Sequence, residues 1–270
     1  MVVGVDHTVV MEQICDDLEA EHQALDALVD HIDDVQWDQP TAAPGWSVRD
    51  QVSHVWFFDQ RALMALTDAD AFDTDRERLM ASGGTAASVL PGRSMSGPEM
   101  LAAWRVDRAE LVRVAHTVDP SSRVPWYGPS MAARSFITAR LMETWAHGYD
   151  VADALGRTPE PTERLRHVAH IGVRARPFSY AVHDMPLPAV DVSVILTTPA
   201  GQTVSWGPAD VSDRVSGAML DFCLVVTQRR HLADTGLEVM GDAAREWISI
   251  AQAFAGEPGG GRQPGQFPRS

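Results

Sequence analysis

Residues Arg140–Asp150 read RLMETWAHGYD, and inside this stretch Glu143 and His147 stand four positions apart in a run rich in helix-forming residues. One helical turn puts both side chains on the same face. At about 100° per residue, Glu143, His147 and Asp150 share that face with Phe136, Ala139, Ala146, Val151 and Ala154. The opposite side carries Leu141, Trp145 and Tyr149, so the segment reads as a helix buried nearly all round. Ionisable groups on such a face are costly unless paired or metal-bound.

A third candidate ligand, His54, lies upstream in SVRDQVSHVWFFD, a second helix that opens on Ser47 with Asp50 three positions later. That pair is a capping-box pattern, which fixes where the helix starts. Two imidazoles and one carboxylate are the donor set of a hydrolytic zinc site, with a fourth position left for water or substrate. The same composition forms the facial triad of oxygenases, so a non-haem Fe(II) or a Ni(II) site is the alternative. Read from spacing alone, Glu143 and His147 also fit an ordinary i, i+4 pair on a solvated face. His54, at the edge of its apolar stripe near Phe58, also fits a structural histidine.

Taken together, PGWSVRDQVSHV (44–55) and RLMETWAHGYDVADAL (140–155) resemble the DinB-like metal-binding bundles, in particular the mycothiol-dependent maleylpyruvate isomerase family. The resemblance implies a four-helix bundle in which His54, Glu143 and His147 hold a divalent metal, zinc by the family's habit. It implies mycothiol as a low-molecular-weight thiol cosubstrate and a small electrophilic molecule as substrate. The reaction would be an isomerisation or an S-transfer. Arg140 and Asp150 flank the matching motif, where Arg140 would clamp a substrate carboxylate and Asp150 would orient His147. Both also fit simple pairing with other buried charges.

The second half carries a softer likeness, clearest in LEVMGDAAREWISIAQAF (237–254), to the sterol-carrier-like domain of the same isomerases. Arg229, Arg230 and His231 close an apolar central helix there and are candidates for anionic groups of a substrate or cofactor. A basic helix end is equally ordinary.

A formal charge of −15 over 270 residues, with a pI near 4.9, argues against nucleic acid and against an anionic membrane surface. The opening MVVGVDHTVVMEQICDD has neither a basic start followed by an apolar core nor a spanning segment. The expected location is cytoplasmic, and a homodimer is left open. Cys15 and Cys223 sit in apolar helical patterns, which suits buried reduced thiols and leaves any reacting thiol to come from outside.

Along the chain, Thr8–Asp34 reads as a long amphipathic helix in which His22 and His31 look like surface histidines. Asp68–Ser96 reads as a long connection holding one short helix near Arg76–Ala81. Ser96 and Glu99 cap a further helix through Ala115, with His116 at its C-terminal end. DPSSRVPWYGPS (119–130) reads as an irregular loop whose Trp126 and Tyr127 form either a pocket mouth or a hydrophobic clasp.

After Gly156, a helix from Thr162 to Arg174 carries His167 and His170 as surface or interface residues, and Pro177–Pro188 is a boundary segment. AVDVSVILTT (189–198) alternates as a strand and turns at Pro199–Gln202 into a hairpin with Thr203–Trp206. Further strands are expected at Arg214–Ala218 and Leu237–Met240, with helices over Met219–Arg229 and Ala243–Phe254. The expected division is a metal-binding helical bundle over 1–160, a small α/β domain over 161–256, and a disordered Gly- and Pro-rich tail over 257–270.

A noncatalytic reading stands beside the enzymatic one: the bundle and the carrier-like domain could enclose a lipid or other apolar molecule, with the metal structural. A fourth protein ligand from His7, His116 or Asp150 would favour it.

Overall fold

The computed structural model describes residues 11–81 and 84–267. The described chain is mainly helical with a small sheet region, and it divides into two compact units between Pro159 and Glu160.

The first unit begins with α1 (Met11–Val29), a short α2 (Asp34–Trp37) and α3 (Val48–Thr67). The expected start of the first helix at Thr8 lies outside the described residues. Ser47 caps α3 as its spacing predicts: its side chain accepts from the Asp50 amide, and the Asp50 carboxylate accepts from the Ser47 amide at 3.0 Å. The expected long connection after α3 is instead largely helical, with α4 over Ala69–Ala81, a 3₁₀ segment over Gly84–Val89 and α5 over Leu90–Arg93. Only Phe72 and Leu79 of α4 are buried, so its outward face gives no apolar period to read.

Helix α6 (Gly97–Ala115) opens on the Ser96–Glu99 capping box. Gly97 lies flat against the Trp37 indole, where a Cβ would stand 2.2 Å from the ring nitrogen. The loop expected at 119–130 holds a two-residue strand β1 (Arg123–Val124), which pairs antiparallel with β2 (Met131–Ala132) and delivers the chain into α7 (Ala133–Ala154). Sixteen of the 22 residues of α7 are buried, as an all-round apolar helix requires. It ends where Gly156, at φ +63°, lets the Arg157 and Gly156 amides donate back to Ala152 and Asp153. The four long helices form a ring in which α1 packs on α7 and α6, and α3 on the same two.

In the second unit, α8 (Leu165–Arg174) is followed by α9 (Arg176–Val182), which occupies the expected boundary segment. His167, expected at the surface or an interface, is buried on α8. A four-stranded sheet in the order β4-β3-β5-β6 joins β3 (Val192–Thr197), β4 (Thr203–Trp206), β5 (Asp213–Ala218) and β6 (Glu238–Met240). Strand β3 is antiparallel to β4 through the expected hairpin and parallel to β5, with Val194 opposite both Trp206 and Val215. Between β5 and β6 runs α10 (Met219–Val226), three residues shorter than its apolar pattern suggested, and α11 (Asp242–Ile250) closes the unit.

Residues 251–267 carry no helix or strand. The segment expected as a disordered tail is tied back locally all the same: the Gly259 amide donates to Gln252 Oε1 at 3.0 Å and the Gly265 amide to Asp234 Oδ1 at 2.8 Å.

Candidate metal centre

Helices α3 and α7 pack against each other, and at their contact His54, Glu143 and His147 each bring a ligand atom within 4.8 Å of the others. His147 is buried, while His54 and Glu143 are half-buried. His147 Nε2 lies 3.5 Å from Glu143 Oε2. A tetrahedral zinc ion held at about 2.0–2.1 Å would set its ligand atoms roughly 3.4 Å apart, so this edge already has the required length. Among the described residues no fourth His, Cys, Asp or Glu joins the group. His116, one residue considered for that place, pairs with Asp16 at 3.4 Å, and His7 lies outside the described residues.

Each imidazole is held by its Nδ1. His54 Nδ1 is 2.8 Å from the Ser88 hydroxyl, and His147 Nδ1 is 2.5 Å from Gln51 Oε1. Ser88 comes from the 3₁₀ segment after α4, and Ser53 of α3 donates to its carbonyl at 2.9 Å. The Gly92 amide in turn donates to the Ser53 hydroxyl at 3.0 Å, and a Cβ at Gly92 would sit 2.5 Å from that of Ser53. A glycine there is what allows the segment to close on α3 and reach His54.

Aromatic rings wall the group. Trp46 stacks on His147 at 6.0 Å and 13° and tilts against His54 at 4.9 Å, while Phe58 meets the other side of His54 at 4.7 Å. Trp126 and Tyr127 pack on Phe58 and Phe72, the contacts a hydrophobic clasp makes. Burial pushes the Tyr127 phenol up to about 12.

Arg140 and Asp150 are both buried on α7, beside the ligand pair. Arg140, 4% exposed, holds the wholly buried Asp59 with Nη2 at 2.8 Å and Nε at 3.2 Å, and its Nη2 reaches the Val55 carbonyl. Its guanidinium makes the internal charge pair that was the alternative to a substrate clamp. Asp150 is buried on α7 three residues after His147, whose Nδ1 is held by Gln51.

Asp59 also accepts from Trp104 Nε1 at 2.9 Å and lies 3.2 Å from Nε2 of His22. His22 is thus buried, a correction to its expected surface position; its α1 face turns to the ring's interior. His31, by contrast, is solvent-exposed. Burial alone would raise the Asp59 carboxyl, but the adjoining His22 imidazole, the Arg140 guanidinium and the hydrogen bond from Trp104 hold it well below the usual range.

In the second unit Arg229, Arg230 and His231 follow α10 rather than close it. Gln228, at φ +61°, ends the helix, with the Arg229 amide donating to Leu224 and the Gln228 amide to Val225. Arg229 Nη1 donates to the Thr227 carbonyl, Arg230 lies 4.2 Å over the Phe267 ring, and His231 Nδ1 accepts from the Ala233 amide.

Sequence reasoning missed Gln51, Ser88, Trp46 and Asp59. A signal existed for Gln51 alone: it stands one turn before His54 on the same helix face.

Three comparisons bear on this architecture. The family model described as the mycothiol maleylpyruvate isomerase N-terminal domain matches residues 18–152, half of the chain. Uncharacterised proteins from two strains of Mycobacterium tuberculosis, CDC 1551 and H37Rv, are 44% identical over 251 residues, covering 91% of this chain and 96% of theirs. Among solved structures, the crystal structure of the mycothiol-dependent maleylpyruvate isomerase aligns with a TM-score of 0.56 at 15% identity over 83% of this chain and 91% of that one. A substituted form of that enzyme aligns with the same score at 14% identity. The solved structures show a shared fold, and the family match together with the extended identity places this chain in the mycothiol maleylpyruvate isomerase N-terminal domain family.

Proposed function

We propose that this protein is a metal-dependent enzyme in which His54, Glu143 and His147 hold a divalent ion, zinc by their chemistry, and that mycothiol acts with it on a small electrophilic substrate. The observation that carries the proposal is the convergence of three ligand atoms within 4.8 Å on facing helices, in a set that stops at three among the described residues. Two neutral imidazoles and one carboxylate suit zinc and leave a coordination position open, which a structural site would close. Bound zinc would lower the pKa of a water or thiol towards neutrality.

The chain's own residues supply the rest. Ser88 and Gln51 orient the two imidazoles through Nδ1, so that a metal would take Nε2 of each ring. Trp46 and Phe58 keep water from the imidazole faces. Neither cysteine is suited to act as the thiol: burial pushes Cys15 up to about 11 and Cys223 well above its ordinary value. An external thiol is therefore required, and the family name specifies mycothiol. Arg229, Arg230 and His231, in the second unit, remain candidates for anionic groups of a ligand.

The test is turnover of maleylpyruvate by the zinc-loaded protein with and without mycothiol, read beside thiol consumption. Isomerisation regenerates the thiol, whereas S-transfer consumes one equivalent per product. Mycothiol-dependent change of either kind supports the proposal. Equal turnover without thiol, or none with maleylpyruvate and with a panel of small electrophiles, contradicts it.

A further inference from the structure

Three hydrogen bonds around Thr41 determine which way the buried Gln51 amide faces. A hydroxyl has one proton to give and two lone pairs to accept with. The Thr41 proton goes to the Trp46 carbonyl at 3.0 Å, and its oxygen accepts from the Ala43 amide at 3.3 Å and from Gln51 Nε2 at 3.0 Å. The Thr41 hydroxyl is therefore saturated. It can receive the Gln51 NH₂ group, but it has no proton left for the Gln51 oxygen.

With Gln51 Nε2 donating to Thr41, Oε1 faces His147, and an oxygen that only accepts requires a proton on His147 Nδ1. In the neutral ring this leaves the lone pair on Nε2, the atom 3.5 Å from Glu143. Gln51 has no exposed surface, so solvent offers it no alternative partner. The acceptor end of the relay, the Trp46 carbonyl, lies in the loop over 41–46, whose Trp46 indole stacks on the same imidazole.

We propose that Thr41 and Gln51 are positioning residues, a relay that runs from the Trp46 carbonyl through both side chains and sets the Nδ1–H tautomer of His147 for metal binding. Its affinity readout rests on the metal reading given above, whereas its tautomer readout does not. A Thr41→Val variant removes the hydroxyl and frees the Gln51 amide to turn its NH₂ towards His147, which favours a proton on Nε2 and obstructs the metal. A Gln51→Glu variant presents an accepting oxygen to His147 whichever way the carboxylate turns, so in that background Thr41 loses its control.

The experiment measures the His147 tautomer in the metal-free full chain by long-range ¹⁵N–¹H correlation, together with zinc affinity by chelator competition. The proteins compared are the parent, Thr41→Val, Gln51→Glu and the double variant, each checked for a parental melting transition. Expected are an Nδ1–H tautomer in the parent, a loss of zinc affinity of about tenfold or more in Thr41→Val, and its recovery in Thr41→Val with Gln51→Glu. An Nε2–H tautomer in the parent overturns the relay, as does parental affinity and tautomer in Thr41→Val. A Thr41→Val defect of equal size in the Gln51→Glu background also overturns it, because the loop alone would then be at fault. A parent with the Nδ1–H tautomer but no zinc affinity sinks the metal reading and leaves the relay standing.

Discussion

Asp59 has no exposed surface and is surrounded by Arg140, Trp104 and His22, each drawn from a different helix. Removing one partner of such a buried pair strands the other charge, so Arg140→Ala should destabilise the fold by about 3–5 kcal/mol, read by chemical denaturation. The depressed Asp59 carboxyl also fixes an acid dependence. Its stabilisation is complete above the unfolded-state carboxylate pKa of about 4 and is lost as pH falls through the lower folded value. Asp59→Asn should therefore flatten the loss of stability below about pH 4 relative to the parent, measured by melting temperature against pH. Glu143 and His147 were legible as a pair because their relation is local, one turn of one helix. The role of Arg140 was not, because its partner lies 81 residues away and nothing in the sequence marks the pairing.

At the scale of elements, α3 carries the site. Its start is fixed by the Ser47 capping box and by Arg93, whose Nε and Nη2 reach the two Asp50 oxygens at 2.7 and 2.8 Å. Ser47→Ala should cost about 1 kcal/mol of stability in a denaturant titration. The segment from Gly84 to Arg93 holds His54 through Ser88, so Ser88→Ala should weaken zinc binding about tenfold in chelator competition while leaving the fold intact. The capping boxes at Ser47 and Ser96 could be read directly, since the donor and acceptor types stand three residues apart. Helix α4 could not, with only two buried apolar residues in thirteen. Gln51 and Ser88 escaped because a polar residue's burial is a tertiary fact: each is buried by an element distant in sequence.

For the molecule as a whole, the division between Pro159 and Glu160 leaves every candidate metal ligand in the first unit, where the family match also falls. Substituting Arg229 or Arg230 by Ala should thus leave metal stoichiometry at the parental value, whatever it does to turnover. The cysteines lie one in each unit, both without exposed surface, and should resist a thiol reagent until the chain unfolds. The helical first half was readable from long apolar periods, and the β3–β4 hairpin from its alternation. The parallel pairing of β3 with β5 was not, because it joins segments across an intervening strand. The central claim, that His54, Glu143 and His147 form one metal site, is tested most directly by elemental analysis of the purified protein after dialysis against metal-free buffer, beside His54→Ala and His147→Ala. Near-stoichiometric zinc in the parent and its loss in both variants is the predicted result. Zinc absent from the parent after supplementation, or retained equally by both variants, would contradict the assignment.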